Sequence, residues 1–197
     1  MSKKIGKLIQ AYILASVLLG AISPLEKEAS SMIKTQSEGG RQEVGSLLAV
    51  LRDAEVREHE PERLISAIER VGEARVQAAI PYLIELISFK RSFYWENKDP
   101  RIREEEHPVT VLSRYPAAGA LFMIGKPSLP ALVKVIQGEE VGAVASENAL
   151  YTVSQIFRDE PSEGVEYLKS AATRALIAGA AQKLLYAAHK LEESIQK

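Results

Sequence analysis

The sequence contains no cysteine, which excludes disulfides, thiolate metal sites and a cysteine nucleophile. Histidine is nearly as scarce: His59, His107 and His189 stand far apart, so no histidine-built metal centre is expected. Charge of one sign is also missing. Twenty-five basic side chains face 26 acidic ones for a formal net charge of -1, whereas a dedicated nucleic-acid binder carries a basic surplus. No G-x-G-x-x-G, P-loop, G-x-S-x-G or H-E-x-x-H motif occurs, so the common nucleotide, hydrolase and zinc-protease signatures are absent. Nor does any stretch alternate apolar and polar residues long enough to mark a strand. What remains is a 197-residue chain with 46% hydrophobic and 26% charged residues, the balance of one ordinary globular domain.

The chain opens with three lysines (Lys3, Lys4, Lys7) and then residues 8–22, apolar except for Gln10 and Ser16. A short positive segment followed by an apolar run below the ~20 residues of a membrane span is the pattern of an export signal. Ala21 and Ser23 supply the small residues that a signal peptidase inspects, although Pro24 is a poor residue after a cleavage point. Residues 1–23 are therefore expected to be a signal peptide or a membrane-anchor segment, with a cytosolic packed helix as the third alternative. The protein is expected to be exported, periplasmic or secreted, and to touch a membrane only through residues 1–23. Residues 24–42 are polar, with Ser30-Ser31 and Gly39-Gly40 as breakers, and read as a linker. The domain proper is expected over residues 43–197.

From Glu43 onward, apolar residues recur at three- and four-residue steps. Leu64, Ile68 and Val71 share one helical face. Val76, Ile80, Leu83, Ile84 and Ile87 share the next, and Leu129, Leu132, Val133 and Ile136 a third. Ala149, Val153, Ile156 and Phe157 continue the pattern, followed by Val165, Leu168 and Ala172, and by Leu184, Ala188, Leu191 and Ile195. The spacing predicts short amphipathic helices of about three turns, an all-α fold. Two segments also resemble each other. Val71-Gly72 precedes Ile80-Pro81-Tyr82-Leu83-Ile84 as Ile124-Gly125 precedes Leu129-Pro130-Ala131-Leu132-Val133. Each reads as a helix ended by a left-handed glycine, a turn, and a second helix with proline in its first turn.

These paired segments resemble the HEAT repeat family over about residues 60–175. The resemblance implies a short right-handed α-α superhelix, a HEAT-like solenoid of about three helix pairs with flanking helices, in which stacking buries what one pair cannot. The third pair, Ala149 to Ala172, lacks the internal proline. The interval from Pro81 to Pro130 slightly exceeds the ~40–47 residues usual for such repeats, and the glycine-to-proline gap is longer in the first unit than in the second. Glu43–Leu51 and Lys183–Ile195 are expected to cap the ends. Clustered alanines from Ala171 to Ala181 point to close helix approach.

The excess length between the two units, residues 90–108, holds Phe93, Tyr94 and the only tryptophan, Trp95, with Arg101 and Arg103 close by. A long segment of this kind is usually functional or disordered, and aromatics beside arginine are what interfaces favour. These five residues are candidate contacts, the alternative being that the aromatics cover an edge of the first repeat. Glu104-Glu105-Glu106-His107 does not make a metal site, because adjacent residues cannot converge on one ion. Acids ahead of a helix near Val109 instead complement its positive end. His59-Glu60-Pro61 reads as a helix lead-in, and most serines such as Ser113, Ser128 and Ser146 as caps or turns.

The HEAT resemblance implies a concave face built from second helices, with Glu85, Lys134 and Lys169 as further candidate contacts. The expectation is a non-enzymatic scaffold for a protein or peptide partner, with no cofactor, metal or nucleic acid. The rival is an enzyme on a HEAT-like scaffold, either like base-excision DNA glycosylases, with Trp95 and Asp99 in the active parts, or like lyases that attach bilin chromophores. A membrane-anchored adaptor is the third reading.

Overall fold

A computed structural model describes residues 40–92, 110–138, 142–175 and 178–195, with side chains in the last segment described as far as 193. The leader at 1–23, most of the stretch read as a linker and the insertion from Phe93 to Val109 lie outside the described residues. The chain divides into two units, Met1–Glu43 and Val44–Lys197. Of the first, only residues 40–43 are described, and they are helical. Helical residues thus reach into the stretch read as a linker, Gly40 included.

Every element among the described residues is helical, and none is a strand. Residues 40–52 form α1. Then come α2 (Ala54–His59), α3 (Pro61–Glu73), α4 (Ile80–Glu85), α5 (Val111–Arg114), α6 (Pro116–Ile124), α7 (Leu129–Gln137), α8 (Ala143–Ile156), α9 (Pro161–Thr173) and α10 (Ala178–Ile195). Among these residues no single helix is long and apolar enough to cross a membrane.

Proline punctuates the chain at two kinds of junction. Glu60, Tyr115 and Glu160 precede Pro61, Pro116 and Pro161, with φ of -125°, -118° and -134° and ψ of 59°, 87° and 56°. A residue before proline is pushed out of the α region, so the preceding helix or turn stops, and the proline starts the next helix without losing a needed N–H. Pro81 and Pro130 sit one residue into α4 and α7, each behind a 3-10 turn, Gln77–Ala79 and Lys126–Ser128. Ala79 and Ser128 share φ -80° and ψ -18°. The paired sequence segments therefore have paired backbones.

The equivalence differs from the sequence reading in one respect. Gly125 ends α6 with φ 80°, a left-handed conformation that glycine adopts without Cβ strain. Gly72, its expected counterpart, is buried inside α3. A Cβ there would lie 2.7 Å from Met123 Cε and 2.8 Å from Ala120 Cα, so this glycine serves the close approach of α3 to α6. The left-handed residue is Arg75, with φ 51°. Its N–H donates to Gly72 O at 2.9 Å, and the N–H of Val76 donates to Val71 O at 2.9 Å, which is a Schellman close. Val76, immediately before its 3-10 turn, matches Gly125, immediately before the other. That alignment removes the apparent difference in turn length.

The apolar stripes face inward. Leu64, Ile68, Val71, Leu83, Leu121, Leu132, Val153 and Leu184 are fully buried in one contiguous core. Within it α6 is the central helix, packing on α3, α4, α5 and α8. That is why its sequence, PAAGALFMI, is apolar all round. First helices pack together (α3 on α6) and so do second helices (α4 on α7). The helix expected over 76–87 is much shorter, since α4 has 6 residues between the 3-10 turn and the turn at 86–88. The third pair also differs from Ala149–Ala172. Helices α8 and α9 share little contact, whereas α9 packs most extensively on α10, and the alanines (Ala171, Ala172, Ala180, Ala187, Ala188) are buried there.

Candidate functional site

Two of the helix-borne candidates are already engaged within the chain. Glu85, on α4, accepts from Arg57 NH2 at 2.9 Å. That guanidinium also donates through Nε and NH2 to Leu51 O at 2.8 and 2.6 Å, so Glu85 fixes a side chain that closes the end of α1. Lys169 donates to Glu192 at 2.6 Å and lies on α9, the first helix of the α9–α10 pair rather than a second helix. Lys134 is exposed on α7. Phe93, Tyr94, Trp95, Arg101 and Arg103 lie outside the described residues, as do Asp99 and His107. The flanks of their segment are anchored. The N–H of Arg91 donates to Arg114 O at 2.8 Å, and the Arg91 guanidinium pairs with Glu69 on α3.

Of the remaining polar residues, Ser128 lies in a turn as expected, whereas Ser113 and Ser146 lie within α5 and α8. His59 ends α2 with Nε2 3.6 Å from Glu55, and His189 lies 3.3 Å from Glu193 on α10. Ser128 Oγ donates to Gly125 O at 2.7 Å within the turn. Ser113 in α5 donates its N–H to Thr110 Oγ1, which caps that helix. Among the described residues no group of three or more His, Asp or Glu is placed to hold a metal.

The site that sequence reasoning missed lies between α8 and α10. Helix α8 packs on α6 and α7, and α10 packs on α7 and α9. A groove opens between the two helices. One compartment, of about 350 Å³, is lined by Leu150, Tyr151, Val153, Leu168, Tyr186 and Leu191, with Glu147, Ser154, Ala187 and Lys190 completing it. Its floor is the buried core itself, since Val153, Leu168, Ala187 and Leu191 are all buried. A second compartment, of about 480 Å³, shares Tyr151, Ser154 and Leu191 and adds Gln155, Arg158 and Pro161. Both volumes fall within the range of ligand pockets, ~300–1,000 Å³.

The helical repeat builds one wall. Glu147, Leu150, Tyr151, Ser154 and Arg158 recur at steps of three and four along α8 and into its closing turn, the face opposite its core stripe. The other wall is Tyr186 and Lys190, one turn apart on α10. Tyr186 is 57% exposed and its neighbour Leu185 50%, the most exposed large apolar residues described. Lys190 Nζ lies 5.6 Å from the Tyr186 ring centre and 2.8 Å from Glu193. The hydrogen bond to Glu193, helped by that carboxylate's charge and by Tyr186, raises the Lys190 pKa above its ordinary value. Ser154 Oγ donates to Tyr151 O at 2.7 Å, which leaves its oxygen free to accept. The sequence did carry a signal for this groove. Leu150, Tyr151 and Tyr186 line it and fall off the buried stripes of their helices, and such a residue is either exposed or partnered.

Compared with known protein families and with curated proteins, the chain matches none.

Proposed function

We propose that this chain is a non-enzymatic helical-repeat protein of HEAT-like construction that holds a segment of another protein in the groove between α8 and α10. The observation that carries this reading is the groove's composition, a core-lined apolar floor under an exposed tyrosine, with hydroxyl, amide and charged groups at its rim. Aromatic anchors over apolar floors with polar rims are the composition of peptide-binding interfaces. A stacked repeat is supported by the packing of α3 on α6 and of α4 on α7, and by the shared turn backbone before α4 and α7. Export directed by residues 1–23 belongs to the same proposal and is checked by the amino-terminal sequence of the natively produced protein, where an intact Met1 defeats cleavage.

The binding reading is tested by selecting peptides from a random display library on the full chain. Recovered peptides are expected to bind the wild type and to lose at least tenfold in affinity on Tyr186→Ala, a loss of about 1.4 kcal/mol. Peptides that bind the variant equally well would refute the groove as the site.

A further inference from the structure

We infer that the occupant of the groove is an extended acidic peptide, with a large apolar side chain in the Leu150–Tyr186 compartment and an Asp or Glu side chain at Arg158. This inference rests on the groove being a peptide site and adds the chemistry of the peptide. The two compartments differ in kind. The first is floored by Val153, Leu168, Ala187 and Leu191, and an aliphatic or aromatic side chain entering it replaces water over buried core. The second is bordered by the Tyr151 phenol, the Ser154 hydroxyl, the Gln155 amide and the Arg158 guanidinium.

The charges around the groove give the sign of the partner. The groove's two lining cations are Lys190 and Arg158, and Lys190 is held by Glu193. Arg158 is exposed and forms no ion pair among the described residues. A guanidinium presents a planar fork that matches a carboxylate with two parallel hydrogen bonds. Glu147 stands at the opposite end, so an acid there is repelled while an acid at Arg158 is attracted, and the peptide's acidic end has one place to lie. From Leu150 to Ile156 the wall rises about 9 Å at ~1.5 Å per residue, and Arg158 stands in the turn just beyond. An extended chain covers that span and the step beyond it in three to four residues at ~3.3 Å each, which sets the expected spacing between the apolar anchor and the acid.

The test uses the same display selection on the full chain, run in parallel on Arg158→Ala and on the charge-reversed Arg158→Glu. The exposed position makes folding of the variants secure, and circular dichroism checks it. Wild-type binders are expected to carry a large apolar residue with Asp or Glu three to four positions away. They should weaken about tenfold or more on Arg158→Ala, the scale of one charge-assisted hydrogen-bond pair. Selection on Arg158→Glu should return Lys or Arg at that position instead. If binders depend on Tyr186 yet show no acid, or keep the acid against Arg158→Glu, this inference fails while the groove remains a peptide site. If no recovered peptide depends on Tyr186, or sedimentation shows self-association that Tyr186→Ala abolishes, the groove belongs to another occupant and both readings fall.

Discussion

At the scale of single residues, two positions in α3 and its closing turn have opposite requirements. Gly72 has no room for a side chain, because Ala120 Cα of α6 stands 2.8 Å from where its Cβ would be. Gly72→Ala gains roughly 1 kcal/mol of helix propensity but forces two packed helices apart, and overpacking costs about 1–3 kcal/mol. A net loss of stability is expected, read as a lower urea midpoint. Arg75 has the complementary problem, an L side chain at φ 51°. Arg75→Gly relieves a strain of about 1–2 kcal/mol and returns part of it to the entropy of the unfolded chain. A gain of about 0.5–1 kcal/mol is expected in the same assay, and a loss would show that the Arg75 side chain makes compensating contacts. The sequence could not distinguish these roles. Gly72 and Gly125 look alike in one dimension, and only the approach of a neighbouring helix separates a packing glycine from a turn glycine.

Between elements, long-range polar contacts hold neighbouring helices in place, and they were the least legible from sequence. Lys126, in the turn between α6 and α7, reaches Glu163 at 2.8 Å and Glu160 at 3.2 Å at the start of α9, with the Phe157 ring centre 5.8 Å away. The hydrogen bonds to Glu163 and Glu160 raise the Lys126 pKa above 10.5, and the hydrogen bond from Lys126 lowers that of Glu163 below 4.5. A depressed carboxylate stabilises the fold above its unfolded value and loses that contribution as pH falls through its folded value. A raised ammonium stabilises below its unfolded value and loses it as pH rises through its folded value. The clasp is thus fully present between about pH 4.5 and 10.5. Lys126→Met should lower the urea midpoint at pH 7, and the difference from wild type should shrink toward pH 3 and in molar salt. A difference independent of pH and salt would assign the effect to packing on Phe157 instead. Asn148 offers a buried counterpart, with Nδ2 donating to Ile87 O at 2.8 Å across 61 residues of sequence. Asn148→Ala strands that carbonyl and is expected to cost about 1–3 kcal/mol. Nothing local marks Asn148 as different from a surface asparagine. By contrast, Leu64, Ile68 and Val71 announced their burial through spacing alone, because a helix fixes which residues share a face.

For the unit Val44–Lys197, the legible part was the inward stripes and the proline-marked turns, which depend on local sequence. Which helix pairs with which was not legible, since it is decided by contacts between segments far apart in the chain. Helix α10 illustrates this. Its Leu184, Ala188 and Leu191 stripe was evident, yet that stripe serves two neighbours, α9 and α7. Lys183 strengthens the second contact by donating to Gly138 O at 2.7 Å, at the end of α7. Gly164 is matched to the first, for a Cβ there would lie 2.6 Å from Leu191 Cδ2. On the proposed stacking of helix pairs, each unit is stabilised chiefly by its neighbours. A chain ending after residue 177 would uncover Leu168 and the α9 face of the core while leaving the packing of α3 and α4 on α6 in place. Hydrogen exchange should then show α9 losing protection first, α7 partly, and α3 and α6 least, with dye binding to the exposed apolar face. Loss of protection everywhere at once would mean that the helices form one cooperative core instead of a graded array. Unchanged protection in α9 would mean that α10 is an accessory to the fold, and the groove it walls would then be free to open and close without unfolding.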